Sequence, residues 1–191
     1  MRANLPPAAI LFAVCSSAAL ASPEGYTIDS SHTYPSLEVI HFGTSVFRGK
    51  FTRTTGKAVI DRAAKTGSLD ISIDPASVDM GHEKLNGELR TKNFFNVEQF
   101  PTITYKSDTI KFNGETPASV DGNLTMLGVT KPVTLSLNWF KCYQNPAFKK
   151  EVCGADATAT IKRSEFGMKY GAPTAVSDEV KLQIQVEAVH D

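Results

Sequence analysis

Run after run of this chain alternates apolar and polar side chains one for one. Val180, Leu182, Ile184, Val186 and Ala188 are separated by Lys181, Gln183, Gln185 and Glu187. Val133, Leu135, Leu137 and Trp139 are separated by Thr134, Ser136 and Asn138. Leu69, Ile71 and Ile73 repeat the pattern, as do Ile103 with Tyr105, and Ala155, Ala157, Ala159 and Ile161. A strand points successive side chains to opposite faces, so each run buries one face and wets the other. Turn signals fall between the runs: Lys65-Thr66-Gly67, Asn113-Gly114, Asp121-Gly122 and Gly171-Ala172-Pro173. Many short strands with regular turns predict an all-β sandwich or barrel. One stretch breaks the pattern. Around Glu83 to Leu89, Leu85 and Leu89 stand at helical spacing after the candidate cap Asp79, and Asn86-Gly87 limits that helix to a turn or two.

Alternation does not say which face points outward, since an outer-membrane barrel carries it with apolar side chains toward lipid. The clear runs here are often five to seven residues, and the chain ends Val189-His190-Asp191 without an aromatic residue. The reading is a barrel with an apolar interior.

Residues 1–21 read as an export signal. Arg2 precedes a segment from Leu5 to Ala21 without a charge, ending in Ala19-Leu20-Ala21 before Ser22-Pro23-Glu24. A charged start, an apolar middle and a small-residue end mark a secretory signal peptide, cleaved near Ala21-Ser22. Pro6-Pro7 and Ser16-Ser17 make the segment a poor membrane span. Val14 before Cys15 is bulky for a lipid-anchoring site. The mature domain is then 22–191, one domain with no second long apolar run, expected in the periplasm. It retains Cys142 and Cys153, eleven positions apart. An oxidising compartment makes a structural disulfide the expectation, worth about 3 kcal/mol by loop entropy. A zinc site would need further ligands, and a redox pair usually has Cys-x-x-Cys spacing.

Charge and motif content narrow the function. Lys plus Arg is 20 and Asp plus Glu is 20. Nucleic-acid binding needs a basic surplus that is missing here. No nucleophile elbow, phosphate loop or dinucleotide fingerprint is present. His32, His41, His82 and His190 form no close ligand pair. What remains is apolar: 11 Phe, 5 Tyr, 4 Met and 1 Trp. A barrel of about eight strands has an interior that side chains fill or that holds one ligand. An apolar interior selects a chain-shaped apolar ligand, at about 0.8 kcal/mol of gross gain per buried CH2.

Five motifs in order carry a resemblance. They are Tyr26-Thr27-Ile28-Asp29-Ser30-Ser31-His32 with Val39-Ile40-His41-Phe42-Gly43-Thr44-Ser45; Gly49-Lys50-Phe51; Asn93-Phe94-Phe95-Asn96-Val97-Glu98-Gln99-Phe100-Pro101-Thr102-Ile103; Gly122 through Val133; and Arg163-Ser164-Glu165-Phe166-Gly167-Met168. The chain resembles the YceI-like family of bacterial exported, polyisoprenoid-binding proteins over about residues 26–188. The resemblance implies an extended antiparallel lipocalin-like β-barrel with one or two short helices and a lengthwise apolar cavity. It implies a long-chain isoprenoid ligand, polyprenyl or quinone-type, commonly a homodimer, and no catalytic residue, metal or further cofactor. Three departures stand out. Leu85-Asn86-Gly87-Glu88-Leu89-Arg90 lacks the acidic and His positions many relatives carry, which points to a different head group. Pro35 replaces a β-branched residue, so the first long strand is expected to begin late. The Cys142–Cys153 loop occurs in only part of the family.

The lumen candidates follow from these motifs and their alternation: Leu37, Val39, His41, Phe94, Phe95, Phe100, Ile103, Tyr105, Leu124, Met126, Val133, Leu135, Leu137, Phe166, Met168 and Ile184. Two other functions compete with lipid carriage. One is a lipid-modifying enzyme with His41 or His82 as acid or base, which needs a nucleophile or carboxylate within reach of that ring. The other is a protein-binding module using a strand edge or apolar patch.

Overall fold

A computed structural model describes residues 22–147 and 149–191. The export segment expected over 1–21 lies outside the described residues. The strands are β1 (Glu24–Ile28), β2 (Tyr34–His41), β3 (Ser45–Phe51), β4 (Thr54–Asp61), β5 (Thr66–Ile73) and β6 (Val78–Asp79), then, after helix α1 (Glu83–Arg90), β7 (Ile103–Asn113), β8 (Thr116–Met126), β9 (Val129–Asn145), β10 (Lys150–Lys162) and β11 (Glu179–His190). Every pairing between these strands is antiparallel.

The short early strands combine into longer ones. β11 carries β1 and β2 on the same edge, at Ala188–His190 and Lys181–Gln185. β3 pairs with β2 and β6, while β4 pairs with β1 and β5. Thus β1 with β2, β3 with β4 and β5 with β6 act as three bent strands. With β7 to β11 they make eight, each bonded to its sequence neighbour, and the β1–β11 pairing closes the ring. This is the lipocalin-like up-and-down barrel, which leaves few free edges.

The bends replace ladder bonds with side-chain bonds. At the first, Asp29 accepts the Ser31 amide at 2.9 Å, and the Thr33 hydroxyl sits between the amide and carbonyl of Glu187 at 3.2 and 3.3 Å. At the others, Ser77 Oγ accepts from the Thr52 and Arg53 amides and donates to the Asp74 carbonyl. The Asp29–Ser31 and Ser77–Asp74 bonds are the local kind that Ser and Asp favour, while the bonds to Glu187, Thr52 and Arg53 reach residues distant in the chain.

Several sequence expectations are corrected. The cap of α1 is His82, whose Nδ1 accepts from Leu85 N–H; Asp79 instead accepts from Gly81 N–H and Asn86 Nδ2. Asn86 is buried and accepts from Met80 N–H at 2.7 Å, tying the helix to the end of β6. Asp121-Gly122 is no turn but the middle of β8. Tyr105 lies over Gly122, where a Cβ would stand 2.5 Å from its ring. Glycine here serves a close approach across strands. Pro35 does not delay the strand: β2 begins at Tyr34, and Pro35 pairs with Ile184. Trp139 leaves the face of Val133, Leu135 and Leu137, because the β9–β10 register shifts between Asp156 and Ala157. The shift turns Trp139 to solvent, 64% exposed, and puts Phe140 inside. Among the described residues no helix is long and apolar enough to cross a membrane.

Candidate functional site

The inward faces of the strands do not meet at the centre. They surround a cavity of about 620 Å³, within the usual size of a small-molecule site. Its wall is almost wholly aliphatic and aromatic, with side chains from every long strand. Most lumen candidates stand on it. Leu37, Val39 and His41 come from β2, Ile103 and Tyr105 from β7, Leu124 and Met126 from β8, Val133, Leu135 and Leu137 from β9, and Ile184 from β11. Phe94, Phe95 and Met168 reach it from loops.

Phe100 and Phe166 do not reach the wall. The Phe100 ring lies over the β8–β9 turn, 3.0 Å from where a Cβ on Gly128 would stand. Phe166 ends the 3-10 turn Arg163–Phe166 and is buried in the core behind the cavity. An aromatic residue beside a tight turn packs on the turn, and alternation carries no information there.

One end is a floor. Tyr26, Ile60, Ile110, Cys153 and Ala188 line it and are all buried. Tyr26 is enclosed completely. Its hydroxyl lies 3.1 Å from Glu24 Oε2, 2.6 Å from Glu151 Oε1 and 2.9 Å from Arg62 Nη2. Arg62 bridges the two carboxylates, at 3.0 Å to Glu24 and 2.5 Å to Glu151. Burial, with the neighbouring carboxylates, pushes the Tyr26 hydroxyl's pKa far up. Burial alone would raise the Glu151 carboxyl, but hydrogen bonds from Tyr26 and Arg62 outweigh it and hold it low. The disulfide Cys142–Cys153 joins directly opposed residues of β9 and β10 beside this network.

The other end is the mouth. Here the wall passes to residues that meet solvent: Tyr170 at 57% exposure, Glu88, and the partly buried His41, Phe47, Phe94 and Val176. Tyr170 meets Phe94 edge-on with centroids 5.5 Å apart, and His41 stacks on Phe47 at 4.3 Å. Arg163 pins this end. It is buried, and its guanidinium donates to the carbonyls of Ser177, Tyr170, Val176 and Met168. Sequence reasoning assigned no role to Arg163, Glu88 or the Tyr26 hydroxyl, because none of the three depends on periodicity.

The polar atoms on the wall are mostly occupied. Tyr105 hydroxyl lies 2.8 Å from the Val133 carbonyl and 3.0 Å from that of Val120, and burial raises its pKa, with Asp121 adding to the effect. Among the described residues one buried side-chain atom, Thr54 Oγ1, has no partner. No carboxylate or hydroxyl is hydrogen-bonded to the ring of His41 or His82 among the described residues; His82 is occupied as a helix cap. His32 and Asp29 pair at 2.7 Å on the outer surface.

Comparison with known proteins agrees with this geometry. The YceI-like domain family matches residues 26–188. A UPF0312 protein of Pseudomonas aeruginosa (strain LESB58) is 33% identical over 167 residues, covering 86% of each chain. A UPF0312 protein of Pseudomonas putida (strain GB-1) is 32% identical over 176 residues, covering 91% of this chain and 90% of that one. The crystal structure of Burkholderia cenocepacia BcnA is 26% identical with a TM-score of 0.71, covering 84% of this chain and 98% of that one. At 15% identity, a polyisoprenoid binding domain from Saccharophagus degradans shares the fold with a TM-score of 0.65, over 87% of this chain and 98% of that one.

Proposed function

The chain belongs to the YceI-like domain family, and from that premise we propose that its barrel binds one long-chain isoprenoid lipid and carries or stores it in the periplasm. The observation that carries this reading is the apolar cavity of about 620 Å³, floored at one end and open at the other. At roughly 30 Å³ for a group the size of a water molecule, which a methylene approximates, it has room for about twenty of them. That matches four isoprene units, with any longer tail or the head group left at the mouth. Burying such a chain gives on the order of 16 kcal/mol before the costs of ordering and immobilisation, enough for tight binding without a specific polar contact. The solved domain from Saccharophagus degradans, described as polyisoprenoid binding, supports the ligand class.

The mouth favours an uncharged head. Among the described residues the charged ones on the wall are Glu88 and Arg163. Arg163 is taken up by four carbonyls, and Glu88 would repel a phosphate. A polyprenol or a quinone suits this site better than a prenyl diphosphate. Neither candidate histidine has a carboxylate or hydroxyl hydrogen-bonded to its ring among the described residues, and we read the protein as a binder. The uncharged segment before Ser22 and the Cys142–Cys153 bridge support export to an oxidising compartment.

Mass spectrometry of an organic extract of the purified protein is expected to give one isoprenoid per chain. Ala157, buried at mid-wall, is the place to block the tube. Ala157→Phe fills it with apolar volume and is expected to abolish loading while the barrel still folds. Geranylgeraniol is expected to outcompete geranylgeranyl diphosphate. Either an extract empty of lipid or full loading of Ala157→Phe would refute the reading.

A further inference from the structure

The hairpin β2–β3 ends in apolar residues on both of its faces. Inward, Val39, Phe47 and His41 belong to the cavity wall. Outward, Ile40 and Val46 pair across the strands at 51% and 42% exposure, and Phe42 at the tip is 62% exposed. None of these three lines the cavity. The backbone at Phe42 is held in place. Its amide donates to the Ala175 carbonyl at 2.9 Å, and Thr44 N–H closes the turn onto His41 O at 3.0 Å. The two central residues, Phe42 and Gly43, have φ of +48° and +67°. Such turns favour Asn-Gly, and a bulky residue at positive φ is disfavoured. An exposed phenylalanine therefore sits where local preference asks for a small polar residue.

We propose that this tip, with Tyr170 beside it, is a surface that dips into a lipid bilayer and passes the ligand between membrane and cavity. The occupant follows from the order of side chains along the hairpin. Behind the apolar tip comes the Glu38–Arg48 pair at 2.7 Å, then Lys50. With Lys181 opposite Glu38 and Asp79 opposite Lys50, three cations against two carboxylates stand at the level where lipid phosphates would lie. From the Ile40–Val46 pair to Phe42 is two residues, about 7 Å of strand, within the roughly 5–10 Å that interfacial segments enter. Insertion must be shallow. β3 has a strand partner on its outer edge only at Lys50 and Phe51 among the described residues, and open strand edges do not enter hydrocarbon. The patch is also continuous with the lumen: Phe42 packs edge-on against His41, a wall residue, at 4.7 Å, and Tyr170 is both wall and surface. The opposite end is ringed by the ion pairs of Glu24, Arg62, Glu151, Lys57 and Asp191, with Tyr143 and Val59 exposed on its outer walls. The cargo in this proposal rests on the lipid-binding reading above; the contact surface does not.

The test has two arms, both on the full mature chain. In a Trp139→Phe background, Phe42→Trp places the only tryptophan at the tip. Vesicles of phosphatidylcholine with a minority of phosphatidylglycerol, brominated on the acyl chains, are expected to quench that tryptophan and shift its emission to the blue. Trp139 of the unmodified protein, on the outer face of β9, is expected to stay unquenched. In the second arm, geranylgeraniol uptake from vesicles is expected to fall by about tenfold in an Ile40→Ser, Phe42→Ser, Val46→Ser variant, because interfacial binding scales with the apolar area inserted. Uptake from detergent micelles is expected to be unchanged, which also shows that the variant folds. An unquenched tip, equal quenching of Trp139, self-association through the tip in place of vesicle contact, or an unchanged vesicle rate would overturn the proposal. If geranylgeraniol enters from neither source, the cavity reading fails, and the quenching arm alone decides the tip.

Discussion

At the barrel's floor a single hydroxyl holds an ion network in place. Tyr26 packs its ring against His190 edge-on at 5.2 Å and its oxygen against Glu24, Glu151 and Arg62. Tyr26→Phe keeps the ring and removes the oxygen. The loss is expected to be about 1–2 kcal/mol, at the lower end for a bond to a charged group because the Arg62 and Glu24 side chains are 38% exposed and partly screened. The network also sets a pH window. Glu151 is held below its ordinary 4.5 when folded, so its contribution is present above that value and lost as pH falls through the lowered one. Tyr26 is raised above its ordinary 10.0, so its contribution is present below that value and declines as pH rises past it. Urea midpoints across pH are therefore expected to fall outside roughly 4.5–10, and to fall less steeply at the alkaline end in Tyr26→Phe. An alkaline limb identical in both proteins would show that Tyr26 contributes nothing there.

Strands are the most legible elements and their interruptions the least. Alternation names which side chains share a face, and within a regular run such as Val180 to Ala188 it misplaces none; the wall side of β11 follows directly. It fails where the backbone departs from period two. The register shift after Leu137 reverses Trp139, and nothing in Asn138-Trp139 announces it. Gly122 beside Asp121 has the composition of a turn, while its purpose is to admit the ring of Tyr105, a contact only the paired strands create. The bends at Asp29, Thr52 and Asp74 depend on bonds to residues far along the chain, such as Glu187 and Ser77. Gly122→Ala tests the second case. A Cβ 2.5 Å from the Tyr105 ring and 2.8 Å from the Lys106 carbonyl must displace one of them. The expected cost is about 2 kcal/mol, typical of overpacking. Pairing it with Tyr105→Leu is expected to recover part of that loss, a non-additivity readable from chemical denaturation of the four proteins of the cycle.

As a whole the molecule is a closed sheet around a space its own side chains do not fill. The wall residues pack against neighbours on their flanks and have no protein partner on the cavity side, which forfeits dispersion contacts. A chain-shaped guest restores those contacts along the entire tube, and every long strand contributes at least one of them. Binding should therefore be felt as global stability and not as the ordering of one loop. A ligand at about a hundredfold excess over its Kd adds roughly 2.7 kcal/mol. For a domain of this size that corresponds to a rise in Tm of about 5–10 °C. Solvent-extracted protein is expected to melt lower than freshly purified protein by that margin, and geranylgeraniol is expected to restore it. Ala157→Phe, with the tube occupied by its own side chain, is expected to melt at one temperature with or without the alcohol. The control separates filling of the cavity from adsorption elsewhere: a ligand that binds the outer surface would raise both proteins alike. Equal melting of the extracted and loaded forms would mean that the space is not where the lipid resides.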